Sequence, residues 1–356
     1  MQAVKPPRNL IKSAVNAVFD PNAANFWLQK IDPTWSVNQS LGKIVERTQV
    51  ANDTVSLKIA VNRKFQFGEA GQHHPVIVTT QGRCFERTYS LTKIDTQHVL
   101  LTAKKVDQGV VSSWINDIAQ VGDIVEFGAP YGDMTLESVN TPLLMLAAGS
   151  GITPMYSLIK ALLQQEKKLV HPVKLMYWAK KTEDLAFQTE LVALANQHSN
   201  FNVEFFTTQD EEADSRLEDS HLTAIEYLDQ YTVYACGPAG FVQLAEQLTD
   251  TRVHKFKGEA FSVEPFISDE TGFVQVTLTK SNKVVTIPKG QSILASLEQQ
   301  NIRPQHGCRM GVCNKCACHK AQGATKNLVN GAENTEPGNL LKICINSAQS
   351  DLTIDL

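Results

Sequence analysis

Hydrophobic and polar residues alternate in three different patterns along the chain. Between residues 41 and 135, short segments rich in Val, Ile and Thr are separated by Asn-Asp, Gln-Gly and Val-Gly-Asp breaks. Such segments are typical of short antiparallel strands joined by turns. We expect strands at 43–50, 54–61, 75–80, 88–91, 98–105 and 124–127. This spacing predicts an antiparallel β-barrel.

From residue 142 the pattern changes to apolar runs that alternate with helix-like segments. We expect strands at 143–147, 173–179, 203–207 and 232–235. Helices are expected at 153–165, 184–198, 222–228 and 240–248. Strands that alternate with helices predict an α/β unit with a doubly wound parallel sheet.

A third unit follows a stretch rich in Glu, Ser, Pro and Gly. A hairpin is expected over 273–288 and a helix over 292–300, after which five cysteines are grouped. Before the barrel, apolar residues in 10–19 predict a short amphipathic helix packed on its own protein; contact with a membrane surface is the alternative. The expected division is a 1–40 extension, a 41–137 barrel, a 138–258 α/β domain, a 259–271 linker and a 272–356 domain.

Composition excludes several classes of protein. The 356 residues are 42% hydrophobic and 20% charged, which is typical of globular domains rather than disordered or coiled-coil chains. No apolar run approaches a membrane span and no secretory signal is visible, so we expect a cytoplasmic chain that does not span a membrane. The net charge is −4, with nine Lys/Arg and five Asp/Glu in 271–356. That balance is too mixed to predict a nucleic-acid partner.

Four of the seven cysteines have the spacing C-x4-C-x2-C followed by a distant fourth cysteine. This is the plant-type [2Fe–2S] spacing, in which three thiolates come from one tight loop and the fourth returns from a later strand. The expected metal ligands are Cys308, Cys313, Cys316 and Cys344. The alternatives are a zinc site that uses Cys318 or His319, and buried thiols without metal.

Two glycine-containing turns follow expected strands of the α/β domain. The segment 149–154 reads G-S-G-I-T-P, and 236–238 reads C-G-P. Glycines allow the backbone to approach a pyrophosphate, whose charge suits a helix N-terminus. Thr153 can cap that helix. Taken alone, each motif is also compatible with an ordinary strand–helix turn.

Two further motifs lie in the barrel region. Residues 87–90 read R-T-Y-S and 109–113 read G-V-V-S-S. A tyrosine can pack on a flavin ring, and Arg and Ser can bind phosphate and polar flavin atoms. The G-x-x-S-S segment offers amides and hydroxyls that suit a pyrophosphate, which favours FAD over FMN.

The order of these motifs resembles the ferredoxin–NADP reductase superfamily with a plant-type ferredoxin fused at the C-terminus. The chain also resembles the reductase partners of membrane fatty-acyl desaturases, through Trp27, the P-T-W-S segment at 33–36, H-G-C-R-M-G at 306–311 and D-L-T-I-D-L at 351–356. One departure is Asn314, where this ferredoxin loop commonly has Gly.

The resemblance implies a flavin-binding barrel, a nucleotide-binding α/β domain and an α+β domain of the β-grasp ferredoxin type. It implies FAD against Arg87, Thr88, Tyr89 and Ser90, with its pyrophosphate near Val111, Ser112 and Ser113. It places the nicotinamide cofactor at Gly149, Gly151, Thr153, Cys236, Gly237 and Pro238. Phe261, in the stretch 259–261, would close over the flavin or the nicotinamide. Cys236 is the candidate for a catalytic group beside the nicotinamide, with simple packing as the alternative.

Cations after the expected second and third strands of the parallel sheet bear on nucleotide choice. Lys180 and Lys181 follow the second strand and Arg216 lies beyond the third. Cations there favour a ribose 2′-phosphate, so NADPH is expected. NADH is the alternative, because Glu183 and Asp184 follow at once and could bind a ribose hydroxyl.

The expected function is electron transfer from NADPH through FAD and [2Fe–2S] to a terminal oxidase, a membrane fatty-acyl desaturase by resemblance. Any contact with a membrane would come through that partner. The alternatives are the reductase of a soluble hydroxylase or Rieske-type oxygenase, and a redox sensor or electron-carrier module without turnover. A basic face would meet the acceptor, with Lys315 as its foremost residue and the others being Lys280, Lys283, Lys289 and Lys320.

Overall fold

The computed structural model of the chain describes residues 20–80, 82–107, 109–136, 139–164, 171–210, 215–262, 272–307, 309, 311, 314–329 and 331–356. The helix expected within 10–19 lies outside these residues. Two of the four expected metal ligands, Cys308 and Cys313, also lie outside them.

The first described element is helix α1 (Pro21–Ile31), which precedes the barrel. Asp20 caps it by accepting a hydrogen bond from the Asn22 amide at 2.9 Å. The buried Asn25 side chain ties the helix to the following segment, because it accepts from the Val37 amide and donates to Asn38, both at 2.8 Å. The helix thereby keeps its place with little apolar burial.

A closed barrel follows, as the sequence predicts. Its strands are β1 (Leu41–Ala51), β2 (Thr54–Val61), β3 (His73–Thr80), β4 (Arg83–Lys93), β5 (His98–Lys104) and β6 (Ile124–Phe127), in the order β1-β2-β5-β4-β3-β6. Between β5 and β6 lie the short helix α2 (Val110–Ser113) and a π-helical turn, Trp114–Ile118. Strand β4 is longer than the expected 88–91, because it forms an antiparallel ladder with β3 from Ser90 to Arg83.

The α/β domain contains five parallel strands in the order β11-β10-β7-β8-β9. The strands are β7 (Leu143–Ala148), β8 (Val173–Ala179), β9 (Phe201–Thr207), β10 (Thr232–Pro238) and β11 (Lys255–Ser262). The helices are α3 (Ile152–Gln164), α4 (Gln188–Gln197), α5 (Asp219–Thr223) and α6 (Ala239–Thr249). Every residue of β7 is buried, as expected for the central strand of a sheet covered on both faces.

Three expected boundaries in this domain were wrong. The helix expected at 184–198 begins only at Gln188, because Phe187 adopts a left-handed φ of 62° after the short turn Thr182–Asp184. The helix expected at 222–228 is α5, which ends at Thr223. The expected linker does not begin at 259, because β11 pairs with β10 as far as Ser262.

The C-terminal unit is an α+β domain with a main mixed sheet, a small second sheet and one helix. Strands β12 (Phe273–Leu278) and β13 (Lys283–Pro288) form the expected hairpin, followed by α7 (Ile293–Gln299). The later strands are β14 (Ala317–Gln322), β15 (Thr325–Asn327), β16 (Glu333–Asn334), β17 (Asn339–Lys342), β18 (Asn346–Ala348) and β19 (Leu352–Ile354). The main sheet has the order β13-β12-β19-β14-β17, and β16-β15-β18 form a small second sheet.

The three units meet around strand β4. Ser157 of α3 donates a buried hydrogen bond to the Leu91 carbonyl at 3.0 Å, which joins the α/β domain to the barrel. Lys315 of the C-terminal domain contacts the Glu86 carboxylate at 2.5 Å, which joins that domain to the same strand. None of the helices in the described ranges has the length and apolar character needed to cross a bilayer.

Candidate functional site

A cavity of about 360 Å³ lies where the barrel, the α/β domain and the C-terminal domain meet. Most of the residues expected to bind the flavin line it. They are Arg87, Thr88, Tyr89, Ser90, Val111, Ser112 and Phe261. Thr153, which was expected at the nucleotide site, lines this cavity as well. We call this space the first cavity. Ser113, the last residue of α2, does not line it in the described structure.

The loop before α2 is shaped by Ser112. Its hydroxyl accepts from the Val106 amide and donates to the Gly109 carbonyl, both at 3.2 Å. A Cβ on Gly109 would lie 2.4 Å from that hydroxyl, so the loop needs glycine there. Val106, Gly109 and Ser112 consequently form a preformed edge of the first cavity.

Burial shifts the pKa of two side chains on β4, Tyr89 and Arg87. It raises the pKa of the Tyr89 phenol well above its usual value, so the phenol stays protonated and its ring presents a neutral surface. The pKa of Arg87 is lowered, first by burial and then by the nearby Arg309 guanidinium. Arg87 nevertheless remains charged at neutral pH.

A hydrogen-bonded chain of three side chains crosses from the barrel to the α/β domain at this cavity. His73 Nδ1 lies 2.9 Å from the Ser90 hydroxyl, and His73 Nε2 lies 2.6 Å from the Glu259 carboxylate. His73 is buried, while the Glu259 side chain is 15% exposed. These three hydrogen-bonded side chains can therefore hold a proton beside the cavity and pass it toward solvent.

Sequence reasoning missed His73. No local motif marks it, because its importance comes from the β3–β4 register that places it opposite Ser90. Phe261 and Tyr131 pack edge-on against its ring, at centroid distances of 5.9 and 6.0 Å.

A second cavity, of about 710 Å³, lies at the carboxyl ends of the parallel strands. Gly149, Lys180, Arg216, Pro238 and Phe261 line it. The chain order reverses between β7 and β10, so this is the topological switch point at which α/β sheets bind ligands. Phe261, Lys104, Val106 and Ser150 line both cavities, so the two share a wall.

Three residues expected at the nucleotide site do not line either cavity in the described structure. Gly151 packs against β10, where a Cβ would lie 1.9 Å from the Cys236 carbonyl oxygen. Gly237 allows a similar approach, since its Cβ would lie 2.9 Å from the Ala148 Cβ. Their glycine character therefore serves to bring the two turns together.

Cys236, the candidate catalytic group, is the third of these residues. Its side chain is completely buried. Burial, and secondly the Glu259 charge, raises the pKa of its thiol well above the usual value. A neutral thiol in the sheet core packs rather than reacts, so the geometry favours the packing alternative.

Cations and carboxylates at the second cavity are distributed unevenly. Lys180 is exposed and lines the cavity. Lys181 lies 3.9 Å from Glu183, whereas Asp184 is bound by Lys104 at 2.9 Å. The Asp184 carboxylate is thus already neutralised by a lysine, and Lys180 contributes an exposed cation to the edge of the cavity.

Two of the four expected metal ligands are described. Cys316 and Cys344 are buried, and their sulfurs lie 3.1 Å apart, much farther than in a disulfide. Two thiols at this separation suit ligands of one metal ion. Asn314 adopts the left-handed φ of 57° that glycine commonly provides, and asparagine tolerates this conformation well. The loop geometry is therefore compatible with Asn at this position.

The extra cysteine, Cys318, differs from these two. It packs in the core of the C-terminal domain, and burial raises the pKa of its thiol to about 12. His319, the other residue of the zinc alternative, is exposed. The donor set expected for a [2Fe–2S] cluster fits the described thiols without either residue.

The expected basic face needs correction at two positions. Lys315 points at the barrel, where it pairs with Glu86. Lys320 is buried, and its ammonium donates to the Asn334 carbonyl at 2.7 Å. Lys280 and Lys283 remain exposed, although Lys280 lies 3.6 Å from Asp355.

Comparison with family models divides the chain in the same way. Residues 41–136 match an oxidoreductase FAD-binding domain, and residues 145–247 match an oxidoreductase NAD-binding domain. Residues 276–345 match a 2Fe-2S iron-sulfur cluster binding domain. The first cavity lies between these three matched regions.

Several similar proteins are reductases or oxidoreductases. An NADPH oxidoreductase of Mycobacterium tuberculosis is 27% identical over 99% of this chain and 93% of its own length. The phthalate dioxygenase reductase of Burkholderia cepacia is 26% identical over 88% of this chain and 96% of its own. A solved phthalate dioxygenase reductase structure superposes with a TM-score of 0.65, at 23% identity, over 89% of this chain and 98% of that one.

Proposed function

Because the chain is a ferredoxin reductase-type flavoprotein with a C-terminal 2Fe-2S domain, we propose that it is the reductase component of an oxygenase system. It is an oxidoreductase that uses FAD, NAD(P)H and a [2Fe–2S] cluster. The observation that supports the proposal best is the shared wall of the two cavities. This wall supports a nucleotide site in the second cavity next to a flavin site in the first, and Arg309, which follows the expected cluster ligand Cys308, lines the first cavity.

We assign FAD to the first cavity. The neutral Tyr89 ring offers a face for the flavin, and Arg87 offers a charge for a phosphate. The preformed loop at Val111 and Ser112 supplies a second polar edge. When bound, FAD accepts a hydride and releases electrons one at a time. The protein must accordingly manage a proton at the same place.

Ser90, His73 and Glu259 are suited to that task. Ser90 lines the cavity and its hydroxyl contacts His73, which in turn contacts the partly exposed Glu259 carboxylate. A proton taken from the cavity at Ser90 can pass to the imidazole and then to the carboxylate. The three side chains would therefore act together as a general acid–base group.

We assign the nicotinamide cofactor to the second cavity and prefer NADPH to NADH. Lys180 and Arg216 place two cations at the end of the sheet where a 2′-phosphate would lie. Phe261 lies between the two cavities and would cover the flavin until the nicotinamide displaces it. Gly149 and Pro238 would contact the cofactor at the switch point.

Cys308, Cys313, Cys316 and Cys344 would hold the cluster. Thiolates are the ligands that iron–sulfur clusters take, and the buried pair Cys316 and Cys344 provides a core that excludes water. The cluster supplies one-electron transfer to the acceptor. We place the domain borders near 137, 262 and 272, because β11 belongs to the parallel sheet as far as Ser262.

The comparisons favour an oxygenase as the electron acceptor. Relatives include a phthalate dioxygenase reductase and a 3-ketosteroid-9-alpha-monooxygenase ferredoxin reductase component. The desaturase acceptor that the sequence suggested has no counterpart among these names. We therefore place the oxygenase first.

One observation keeps a membrane-bound acceptor, such as a desaturase, as the second candidate. Large apolar side chains on and after α1 are exposed although they lie outside the three matched domains. They are Phe26, Trp27, Ile31 and Trp35, with Trp27 70% exposed. Exposed aromatic residues of this kind are typical of contacts with proteins or lipid interfaces.

The test is electron delivery by the purified, FAD- and iron-loaded chain. NADPH oxidation with ferricyanide or cytochrome c should be rapid, and its absence would favour a sensor or carrier without turnover. Delivery should then be compared between a Rieske-type oxygenase component and a desaturase in phospholipid vesicles. Coupled product formation with the vesicles alone would overturn the oxygenase assignment.

A further inference from the structure

One residue of the C-terminal domain lines the first cavity in the described structure, namely Arg309. It directly follows the expected cluster ligand Cys308. The remaining lining residues belong to the barrel and the α/β domain. The cavity assigned to FAD is thus completed by a side chain from the domain that receives its electrons.

Arg309 is held firmly in this position. Its guanidinium donates to both Glu298 carboxylate oxygens, at 2.9 and 2.6 Å, and to His306 Nε2 at 2.9 Å. Its backbone adopts a φ of 61°, a conformation uncommon for a residue with a side chain. The Nε atom is buried and has no hydrogen-bond partner within the described residues. The terminal nitrogens of the guanidinium are therefore fixed in place, while the buried Nε–H donor is left for a ligand.

The surroundings of Arg309 carry a positive charge that favours binding of an anion. Arg87 lies on the same cavity wall, close enough for the Arg309 charge to lower its pKa. Glu86 is engaged by Lys315, and the single carboxylate of Glu298 balances only one of the two guanidinium charges. Two guanidiniums with a cavity beside them match the charge and the hydrogen-bonding geometry of a phosphate group.

We propose that Arg309 binds the diphosphate of FAD together with Arg87, so that docking of the C-terminal domain completes the FAD site. This inference rests on the assignment of FAD to the first cavity. By linkage, FAD should strengthen the docking of the C-terminal domain, and docking should strengthen FAD binding.

The test compares Arg309→Gln with Arg303→Gln in the full-length chain. Arg303 is an exposed arginine of the same domain, so its variant controls for loss of one positive charge. The flavin is removed, the cluster is verified by iron and sulfide content, and flavins are titrated back with fluorescence as the readout. Riboflavin serves as the ligand that has the flavin ring but no phosphate.

Arg309→Gln should weaken FAD binding by roughly 10- to 100-fold and leave riboflavin binding unchanged, since a charge-assisted hydrogen bond of this kind is lost. Arg309→Lys should fall between the parent and Arg309→Gln, because lysine keeps the charge without the planar fork. If Arg309→Gln loses its cluster, Arg309→Lys provides the comparison with the parent chain instead.

Two results would overturn the inference. Equal FAD affinity in the parent and in Arg309→Gln would show that Arg309 does not contact FAD. Equal weakening of FAD and riboflavin, with a shifted flavin reduction potential, would place Arg309 at the ring rather than the phosphate. If the parent chain itself bound no FAD, the proposed function would fail instead, so the two failures are distinguishable.

Discussion

His73 Nε2 and the Glu259 carboxylate lie 2.6 Å apart, although 186 residues separate them in the chain. The contact joins the first half of the barrel to the last strand of the parallel sheet. Because His73 also contacts Ser90, the relative position of the two domains is tied to the orientation of a hydroxyl at the first cavity. A change in this pair should therefore affect chemistry as well as domain packing.

His73→Leu should slow turnover with NADPH and ferricyanide by about 10²-fold, which is within the range of a lost general acid–base group. Flavin content should stay near that of the parent, because Arg87 and Tyr89 are untouched. His98→Leu removes a histidine that is paired with Asp95 at a more exposed site, and it should turn over normally. Stopped-flow absorbance of the flavin measures the effect. Parent-like rates in His73→Leu would contradict the role of Ser90, His73 and Glu259 as a general acid–base group.

Cys344→Ser should abolish the cluster while leaving FAD binding and NADPH-to-ferricyanide turnover intact. The reason is that the loss of one of four thiolates opens the iron site, whereas the flavin cavity is formed mainly by other domains. Cys318→Ser is the control and should retain two irons and two sulfides. Iron and sulfide analysis decides, and stoichiometric zinc in the parent would contradict the assignment.

Lys180→Ala should raise KM for NADPH by roughly tenfold and leave KM for NADH nearly unchanged, because only NADPH carries the phosphate that Lys180 would bind. Lys181→Ala is the matched control, since that lysine lies near Glu183. Steady-state kinetics with both nucleotides provide the measurement. A parent enzyme that prefers NADH would refute the nucleotide assignment.

Lys315→Glu should slow electron transfer from flavin to cluster, because the 2.5 Å contact with Glu86 becomes a like-charge pair. NADPH-to-ferricyanide turnover should not change. The Glu86→Lys, Lys315→Glu double variant restores opposite charges and should recover much of the rate. Rapid-scan spectroscopy of cluster reduction measures each variant, and a double variant as slow as Lys315→Glu would argue against a role for this pair.

His74 should make stability depend on pH. Burial lowers its pKa from 6.5 to about 4, so between these values the unfolded chain binds a proton that the folded chain does not. The free energy of unfolding should thus fall as pH drops from 6.5 to about 4, by up to about 3 kcal/mol. His74→Phe removes this titration while keeping a ring to stack on Phe65. Parallel pH profiles of thermal midpoints for the two proteins would contradict the expectation.

Much of the architecture could be predicted because periodicity reports burial directly. The barrel strands, the central strand β7 and the β12–β13 hairpin each show the spacing that their packing requires. Boundaries set by long-range pairing were less accessible. Strand β11 could not be separated from a linker, because its pairing with β10 is not visible in its own residues.

The site divides in a similar way. Motif residues such as Arg87 and Ser90 were found because their chemistry and local spacing coincide. His73 and Arg309 were missed because each reaches the cavity from an element distant in sequence. Cys236 was overvalued, because a sequence motif does not tell whether its thiol faces the ligand or the sheet core.

Strand β4 has a consequence for engineering. Glu86 meets the C-terminal domain, residues 87–90 line the first cavity, and Leu91 accepts the hydrogen bond from Ser157 of the α/β domain. These contacts lie within six consecutive residues of one strand. A chimera in which one domain is exchanged for that of a relative must therefore keep the β4 residues that contact that domain. A suitable linker alone would not restore these contacts.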